Sequence, residues 1–177
     1  MNRTDDETAE IQTVIHEFAK TWTLLLQYDE DSLLRPKQLH PTAKTPAYDK
    51  AKRAVEIFKA ELTKRGEAGD LFGMERDHQL QGILGNISQT FDGKDLYPSA
   101  EEKAACLLYF VIKDHPFSDG NKRIGSLIFL ILLNENGLLK KSDINENGLV
   151  TLALLIAESD PKQKDLLIRL SLNLLSR

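Results

Sequence analysis

The feature that most constrains this chain is a dense polar segment, residues 115–123, set between two apolar stretches. The stretch before it, 107–112, and the stretch after it, 124–133, are both predicted to be helical and buried. A polar loop held between them opens directly onto the N-terminus of the second helix. Unpaired N–H groups and the helix dipole favour a phosphate at such a place, so the segment is a candidate anion-binding loop.

Three residues of this segment, whose sequence is His-Pro-Phe-Ser-Asp-Gly-Asn-Lys-Arg, suit catalysis on a phosphate group. The imidazole of His115 can take a proton from an attacking hydroxyl, which makes it a candidate general base. Asp119 offers the hard oxygen ligand that Mg²⁺ uses when it is also bound through substrate phosphates. Gly120 has no Cβ, so its backbone can turn tightly and approach a phosphate closely.

The other residues of the segment hold the loop or add positive charge. Asn121 can bond neighbouring backbone groups through its side-chain amide. Lys122 supplies a compact point charge and Arg123 a planar fork, both suited to phosphate oxygens. Phe117 alternates with the polar residues, which predicts that it anchors the loop in the core. Together these residue types indicate phosphoryl or nucleotidyl chemistry.

In this order the residues resemble the active-site motif of the Fic/Doc (Fido) family, His-x-Phe-x-Asp/Glu-Gly-Asn-Gly/Lys-Arg. The wider stretch, residues 72–137, is also similar to the Fic-type region of RhuM-like virulence proteins. The resemblance implies a mostly α fold, a Fic-like helical bundle with a short β-hairpin flap near the active site. It also implies an enzyme that uses ATP and Mg²⁺ to modify a hydroxyl side chain of a target protein, usually by AMP transfer. The roles it implies are catalytic base for His115, metal ligand for Asp119, and nucleotide phosphate binding for Gly120, Asn121, Lys122 and Arg123.

Two positions depart from the commonest Fic pattern and leave the reaction open. Lys122 stands where adenylylating members usually have glycine, and Ser126 stands where many have a second arginine that contacts the outer phosphates. Both changes point toward Doc-like members, which transfer a phosphoryl group, whereas Gly120 is the Fic-like residue. AMP transfer is favoured by its frequency in the family. A Doc-like protein kinase, and a catalytically degenerate module that binds a nucleotide or a partner, remain alternatives.

Residues 82–94 are the exception to an otherwise helical pattern, because they are rich in Gly, Asn, Ser and Thr. Asp92-Gly93 is a turn signal, so the segment is predicted to form a short hairpin. In the family a hairpin flap lies over the active site and holds the target segment by strand-like main-chain bonds. The residues assigned to this flap and to target binding are Gly85, Asn86, Ile87 and Ser88.

Elsewhere, apolar residues at helical spacing predict helices. Four helices are predicted at 8–27, 48–65, 146–158 and 161–175. A further helix begins at a capping box of Ser99 with Glu102 and runs to about residue 113. The motif helix that follows the polar segment is ended by Gly137. Trp22 falls at a core position of the first helix, and residues 35–47, with three prolines, are predicted to be a loop. We predict a single domain over 1–177, with an N-terminal helix and loop at 1–47 and a core at 48–177.

Composition narrows the classes of function. A net charge of −4 and a pI near 5.6 argue against a general nucleic-acid surface. The longest apolar run, 127–133, is too short to cross a bilayer and the N-terminus has no hydrophobic signal region, so we expect a cytoplasmic protein without membrane contact. The lone cysteine, Cys106, is predicted to be a buried structural thiol. The histidines outside the polar segment, His16, His40 and His78, have no zinc-ligand spacing.

We assign no regulatory role to a short pattern that resembles the family's inhibitory helix. Residues 142–147 fit the loose pattern of the family's inhibitory helix, but Ser126 replaces the arginine with which its glutamate would pair. Ser142 or Asn145 is therefore interpreted as a helix cap, and Glu146 is not assigned as an inhibitor. The resemblance leaves open an antitoxin or another regulatory partner, and the oligomeric state is not predicted.

Overall fold

The computed structural model of the protein describes residues 3–41, 44–142 and 144–176. Over these residues the chain is mostly helical, with eight α-helices and one two-stranded antiparallel sheet. The elements are α1 (Arg3–Glu17), α2 (Ala19–Asp29), α3 (Tyr48–Lys64), α4 (Gln79–Ile87), β1 (Thr90–Phe91), β2 (Lys94–Asp95), α5 (Ala100–Asp114), α6 (Asn121–Glu135), α7 (Glu146–Glu158) and α8 (Lys164–Leu175). This confirms the prediction of a mostly α fold with a short hairpin. No helix within the described ranges is long and apolar enough to cross a membrane.

The structure divides into two compact units, Met1–Leu34 and Arg35–Arg177. The first unit contains α1 and α2, and the second contains the other described elements. The beginning of the loop predicted at 35–47 is fastened inside the second unit. Arg35 forms an ion pair with Glu102, and His40 Nδ1 lies 2.6 Å from Glu101 Oε1. This part of the loop therefore packs on the core of the second unit.

In the first unit the predicted helix 8–27 is interrupted. Phe18 leaves the helical conformation (φ −102°, ψ 11°), so α1 ends at Glu17 and α2 begins at Ala19. The large apolar side chains are half exposed or more: Ile11 60 %, Val14 52 %, Ile15 55 %, Phe18 50 %, Trp22 51 % and Leu25 54 %. The prediction that Trp22 packs in a core is wrong. Two short helices offer too little neighbouring surface to enclose their apolar faces.

The core of the second unit is built around α5, which is buried along nearly its whole length. It packs on α4, α6, α7 and α8. Helix α6 can approach closely because Gly125 has no side chain: a Cβ there would lie 3.3 Å from Val111 Cγ1. Cys106 is 1 % exposed, and burial raises the pKa of its thiol to about 12. This confirms the prediction of a buried structural thiol.

The first turn of α5 carries successive charged residues that are buried and paired. The predicted capping box is present, since Ser99 Oγ accepts the Glu102 N–H at 3.1 Å and Glu102 Oε2 accepts the Ser99 N–H at 3.3 Å. Lys103 Nζ lies 2.7 Å from Asp95 Oδ2, which fastens β2 to the helix. Buried charges need such partners. Helix α5 therefore fixes the preceding loop and the hairpin as well as the core.

The hairpin is shorter than the segment predicted for it. Strands β1 and β2 pair Thr90 with Asp95 and Phe91 with Lys94 around the predicted Asp92-Gly93 turn. The preceding residues belong to α4, so the prediction of a hairpin over 82–94 is wrong in its first half. The reason is an apolar face with helical spacing, Leu80, Ile83, Leu84 and Ile87, that is buried against the core.

The C-terminal helices follow the prediction closely. Gly137, with φ 68°, lies just after the end of α6. Asn145 caps α7, because its Oδ1 accepts the Gly148 N–H at 2.8 Å. A 3-10 turn, Pro161–Gln163, leads into α8, so the helix predicted at 161–175 is present in two parts. Residue 143, within the inhibitory-helix pattern at 142–147, lies outside the described residues.

Candidate active site

Residues 115–120 of the polar segment connect α5 to α6, and both ends of this connection have a left-handed backbone. His115 follows α5 with φ 50° and ψ 56°, and Gly120 precedes α6 with φ 87°. Glycine adopts this conformation readily, whereas a histidine in it is strained. Such strain at a non-glycine residue is a feature of functional sites. The exposed His115 side chain therefore stands at a backbone position that the surrounding structure has to impose.

A single side chain closes the loop on itself. Asn121 Oδ1 accepts the Phe117 N–H at 2.9 Å, and Asn121 Nδ2 donates to Phe117 O at 2.8 Å. Phe117 is 2 % exposed and Asn121 9 %. The predicted roles of Asn121 as a loop holder and Phe117 as a core anchor are confirmed. Asn121 thus uses its amide oxygen and one amide N–H on Phe117, while its backbone N–H, in the first turn of α6, is a further group that a phosphate could meet.

A cavity of about 350 Å³ opens at the N-terminus of α6. Its walls are formed by Ile112, His115, Ser118, Asp119, Gly120, Asn121, Lys122, Arg123 and, from α7, Ala157. No side chain caps α6, so its first N–H groups remain available to an anion. The structure brings together every residue predicted as base, metal ligand or phosphate-binding group.

Asp119 and Arg123 lie one helical turn apart at this cavity. Asp119 Oδ1 accepts the Gly120 N–H at 2.7 Å, while Oδ2 lies 3.7 Å from Arg123 Nη2. The guanidinium also donates through Nη1 to Glu67 O at 2.8 Å. Because Asp119 and Arg123 are both exposed, their ion pair is weak. It can be exchanged for contacts with a bound cation and a bound phosphate.

The donor set at Asp119 fits a magnesium ion that a substrate helps to hold. In the part of the chain that the structure describes, no group of three or more His, Cys, Asp or Glu side chains could hold a metal. A single carboxylate is enough where phosphate oxygens and water complete the coordination, as is common for Mg²⁺. Lys122 and Arg123 beside it provide the charge that phosphates require. Asp119 is therefore the residue that would hold the ion, together with a nucleotide.

Lys122 and Ser126, the two departures from the commonest motif, lie one turn apart on α6. Lys122 is exposed, and its ammonium has no partner among the described residues. Ser126 Oγ donates to Lys122 O at 2.9 Å, so it puts no charge at this position. Both residues also border an apolar cavity of about 450 Å³ between α3, α6 and α7. Of the two cations that line the phosphate cavity, Lys122 is thus the one without a partner among the described residues, and it lies one turn before the position of the missing arginine.

Phe72 packs against the loop and was missed by the sequence analysis. It is fully buried, and a Cβ on Gly120 would lie only 2.3 Å from its ring. The Arg123 guanidinium stacks on the same ring, with Cζ 4.5 Å from the centroid. Phe58 packs edge-on against it at 5.7 Å. Phe72 therefore sets both the space at the glycine and the direction of the arginine, a role that no local spacing in the sequence indicates.

The residues assigned to the flap do not lie on strands. Gly85, Asn86 and Ile87 are part of α4, and Ser88 is its C-cap. None of the four borders the cavity at His115, and their role in target binding stays a prediction. Of the other histidines, His40 is paired with Glu101 and His78 precedes α4.

A comparison with protein-family models matches residues 48–133 to the Fic/DOC family. The matched range begins at the first residue of α3 and contains the whole segment 115–123. No curated protein and no solved structure gives a significant match to the chain. The likeness to RhuM-like virulence proteins stays a prediction.

Proposed function

Residues 48–133 form a Fic/DOC family domain, and on this premise we propose that the protein transfers AMP from ATP to a hydroxyl side chain of a target protein. The family generally transfers nucleotide-derived groups to proteins. The observation that carries the proposal is the cavity at the start of α6, where His115, Asp119 and two cations converge. Phosphate transfer depends mainly on positioning and charge, and this cavity offers both.

In the proposed reaction the target hydroxyl attacks the α-phosphorus of ATP. The bond from that phosphorus to the bridging oxygen breaks, and pyrophosphate leaves. His115 takes the hydroxyl proton, while the N–H groups at the start of α6, with Lys122 and Arg123, bind phosphate oxygens. Mg²⁺ bound with the nucleotide at Asp119 would supply charge neutralisation at the phosphates.

Lys122 favours a second candidate, a Doc-like protein kinase that transfers the γ-phosphoryl group. Its free ammonium lies in the first turn of α6, whereas Ser126 offers no charge to the outer phosphates. A point charge at this place would favour the opposite orientation of the nucleotide, with the γ-phosphate nearest His115. The hypothesis of a degenerate binding module is supported by Ser126 alone. The presence of both His115 and Asp119 in one cavity argues against it.

The proposal includes a protein partner and a place for it. The hairpin of β1 and β2 projects Phe91, 82 % exposed, and no third strand pairs with it within the described residues, so a target segment could add to it as a strand. Anchoring of Asp95 by Lys103 would keep the hairpin in place when a target segment binds. An antitoxin or another regulatory protein is a further partner consistent with the family, and we assign the activity to the cytoplasm.

ATP labelled at the α- or the γ-phosphorus separates the candidates. The protein is incubated with Mg²⁺, each labelled ATP and a cell lysate, and the labelled proteins are separated. AMP transfer leaves only α-label on the target, whereas kinase action leaves only γ-label. A nucleotide that binds in calorimetry without labelling any protein would contradict both and support the degenerate module. His115→Ala is the matched control, in which either label is expected to disappear.

A further inference from the structure

Residues 72–76, here called the support segment, run beside the candidate loop and are bonded to it. Three backbone hydrogen bonds join them: Gly73 N–H to Asp119 O at 3.1 Å, Ser118 N–H to Met74 O at 2.9 Å, and Arg76 N–H to Pro116 O at 2.8 Å. Isolated bridges pair Phe72 with Asp119 and Glu75 with Phe117. The position of the loop therefore depends on the position of the support segment.

Glu75 fixes the support segment to two helices through one carboxylate. Its Oε1 accepts the Leu80 N–H at 3.0 Å, in the first turn of α4. Its Oε2 accepts the hydroxyl of Tyr48, the first residue of α3, at 2.6 Å. Hydrogen bonds to a carboxylate are about twice as strong as neutral ones. Glu75 is thus one point at which α3 and α4 are connected to the support segment.

The tyrosine remains a donor in this arrangement. The pKa of Tyr48 is raised to about 12. The largest cause is the hydrogen bond to Glu75, and burial and the negative charge of the same carboxylate contribute less. Its hydroxyl therefore keeps its proton at every physiological pH. Tyr48 and Glu75 border a separate cavity of about 390 Å³, which Phe117 also lines, and neither borders the cavity at His115. Among the described residues, the hydrogen bonds that connect them to the candidate loop run through the backbone of the support segment.

We infer that Tyr48 and Glu75 are positioning residues for the phosphate-binding loop. The inference rests on the proposed function, because it takes residues 119–123, which the loop positions, as the part that meets Mg²⁺ and the nucleotide phosphates. The Tyr48 hydroxyl donates a hydrogen bond to the Glu75 carboxylate, which fixes the position of the support segment. Three backbone hydrogen bonds between the support segment and the loop then fix the position of the loop. Without the tether the loop samples more conformations, and a smaller fraction of molecules is ready to bind.

Tyr48→Phe tests the inference, because it removes the donor and keeps the ring. Amide hydrogen exchange is measured without nucleotide on the amides of Gly73, Arg76 and Ser118, with α8 as an internal reference. Loss of a hydrogen bond to a charged group should make these amides exchange about tenfold faster while α8 is unchanged. Calorimetry should show the affinity for Mg²⁺-ATP falling by about tenfold as well. Tyr28→Phe is the matched control, since the Tyr28 hydroxyl has no partner among the described residues, and it should change neither quantity.

Glu75→Gln provides the second variant. The amide oxygen of the new side chain can still accept the Leu80 N–H, and its NH₂ group can donate to the Tyr48 oxygen. Amide exchange in the loop and the affinity for Mg²⁺-ATP should therefore change less than in Tyr48→Phe. The double variant should lose little beyond Tyr48→Phe alone, because both changes act on one interaction. Unchanged exchange at the loop in Tyr48→Phe, or an equal rise in α8, would overturn the inference. If wild-type protein binds no Mg²⁺-ATP, the proposed function fails, but the exchange measurement still decides whether the tether places the loop.

Discussion

Replacing Gly120 with alanine is expected to destabilise the protein at the candidate loop. A Cβ at this position would lie 2.3 Å from Phe72 Cε2 and 2.5 Å from Phe72 Cδ2, far inside contact distance. Phe72 is fully buried and packs against Phe58. In a close-packed core its ring has no free space into which it can move. The new methyl group must therefore displace the ring or the loop.

Two contributions set the magnitude. A backbone φ of 87° costs an L-residue about 1–2 kcal/mol. Overpacking a buried site adds about 1–3 kcal/mol. The free energy of unfolding should therefore fall by about 2–5 kcal/mol. Because Arg123 stacks on the same ring, we also expect weaker binding of Mg²⁺-ATP.

Gly66 offers a matched control for this experiment. It has a φ of 71°, and nothing lies within 4 Å of a Cβ built on it. Gly66→Ala thus carries the backbone strain without the clash, and should cost only about 1–2 kcal/mol. Both variants are measured by urea unfolding followed by circular dichroism. Phe72→Leu should recover part of the loss in Gly120→Ala. Equal losses in the two glycine variants, or no coupling to Phe72, would refute the reasoning.

The remaining predictions concern the loop, the metal ligand and the buried thiol. Asn121→Ala leaves the N–H and C=O of Phe117 unpaired in a buried place, so urea unfolding should show a loss of about 2–4 kcal/mol; a loss below the error of the method would contradict the role of Asn121. Asp119→Asn should weaken ATP binding in calorimetry when Mg²⁺ is present and leave it unchanged when Mg²⁺ is absent; equal weakening in both would show that Asp119 only caps the loop. The pKa of Cys106 is raised from 9.0 to about 12 in the folded state, so the unfolded thiol loses its proton first as pH rises. Stability that this thiol contributes below pH 9 should be lost between pH 9 and 12, and Cys106→Ala should flatten this part of the pH dependence of unfolding.

Local signals were enough to predict the elements that carry the site. The capping box of Ser99 with Glu102 and the apolar runs on both sides of the motif placed α5 and α6 closely. They also placed residues 115–123 at the N-terminus of α6. These signals depend on residues that are close together in the sequence, so a single sequence is enough to recognise them. The roles of Phe117 and Asn121 in the loop could be predicted for the same reason.

Helix α4 shows how composition can conceal periodicity. Gly82, Gly85, Asn86 and Ser88 are poor helix formers and favoured a hairpin over the whole of 82–94. The buried positions Leu80, Ile83, Leu84 and Ile87 follow helical spacing, and their packing against the core outweighs the weak propensity. The strongly turn-forming Asp92-Gly93 alone marked the true hairpin.

Contacts between distant parts of the chain account for most of what was missed. Phe72 reaches Gly120 and Glu75 reaches Tyr48 only after α3, α4 and α6 have packed together. A single sequence contains no spacing that predicts such pairs. For Trp22, helical spacing correctly indicated an apolar face, but it cannot tell whether that face is covered within its own unit.

The most direct test of the central claim compares His115→Ala with the wild type. In a Mg²⁺-ATP labelling reaction, we expect transfer of the nucleotide-derived group to fall by about 10²-fold or more, because the imidazole takes the proton in the transition state. The Kd for Mg²⁺-ATP should stay within about threefold, because the base does not hold the ground-state nucleotide. Undiminished transfer by the variant, normalised to folded protein, would contradict the assignment of this cavity as the active site.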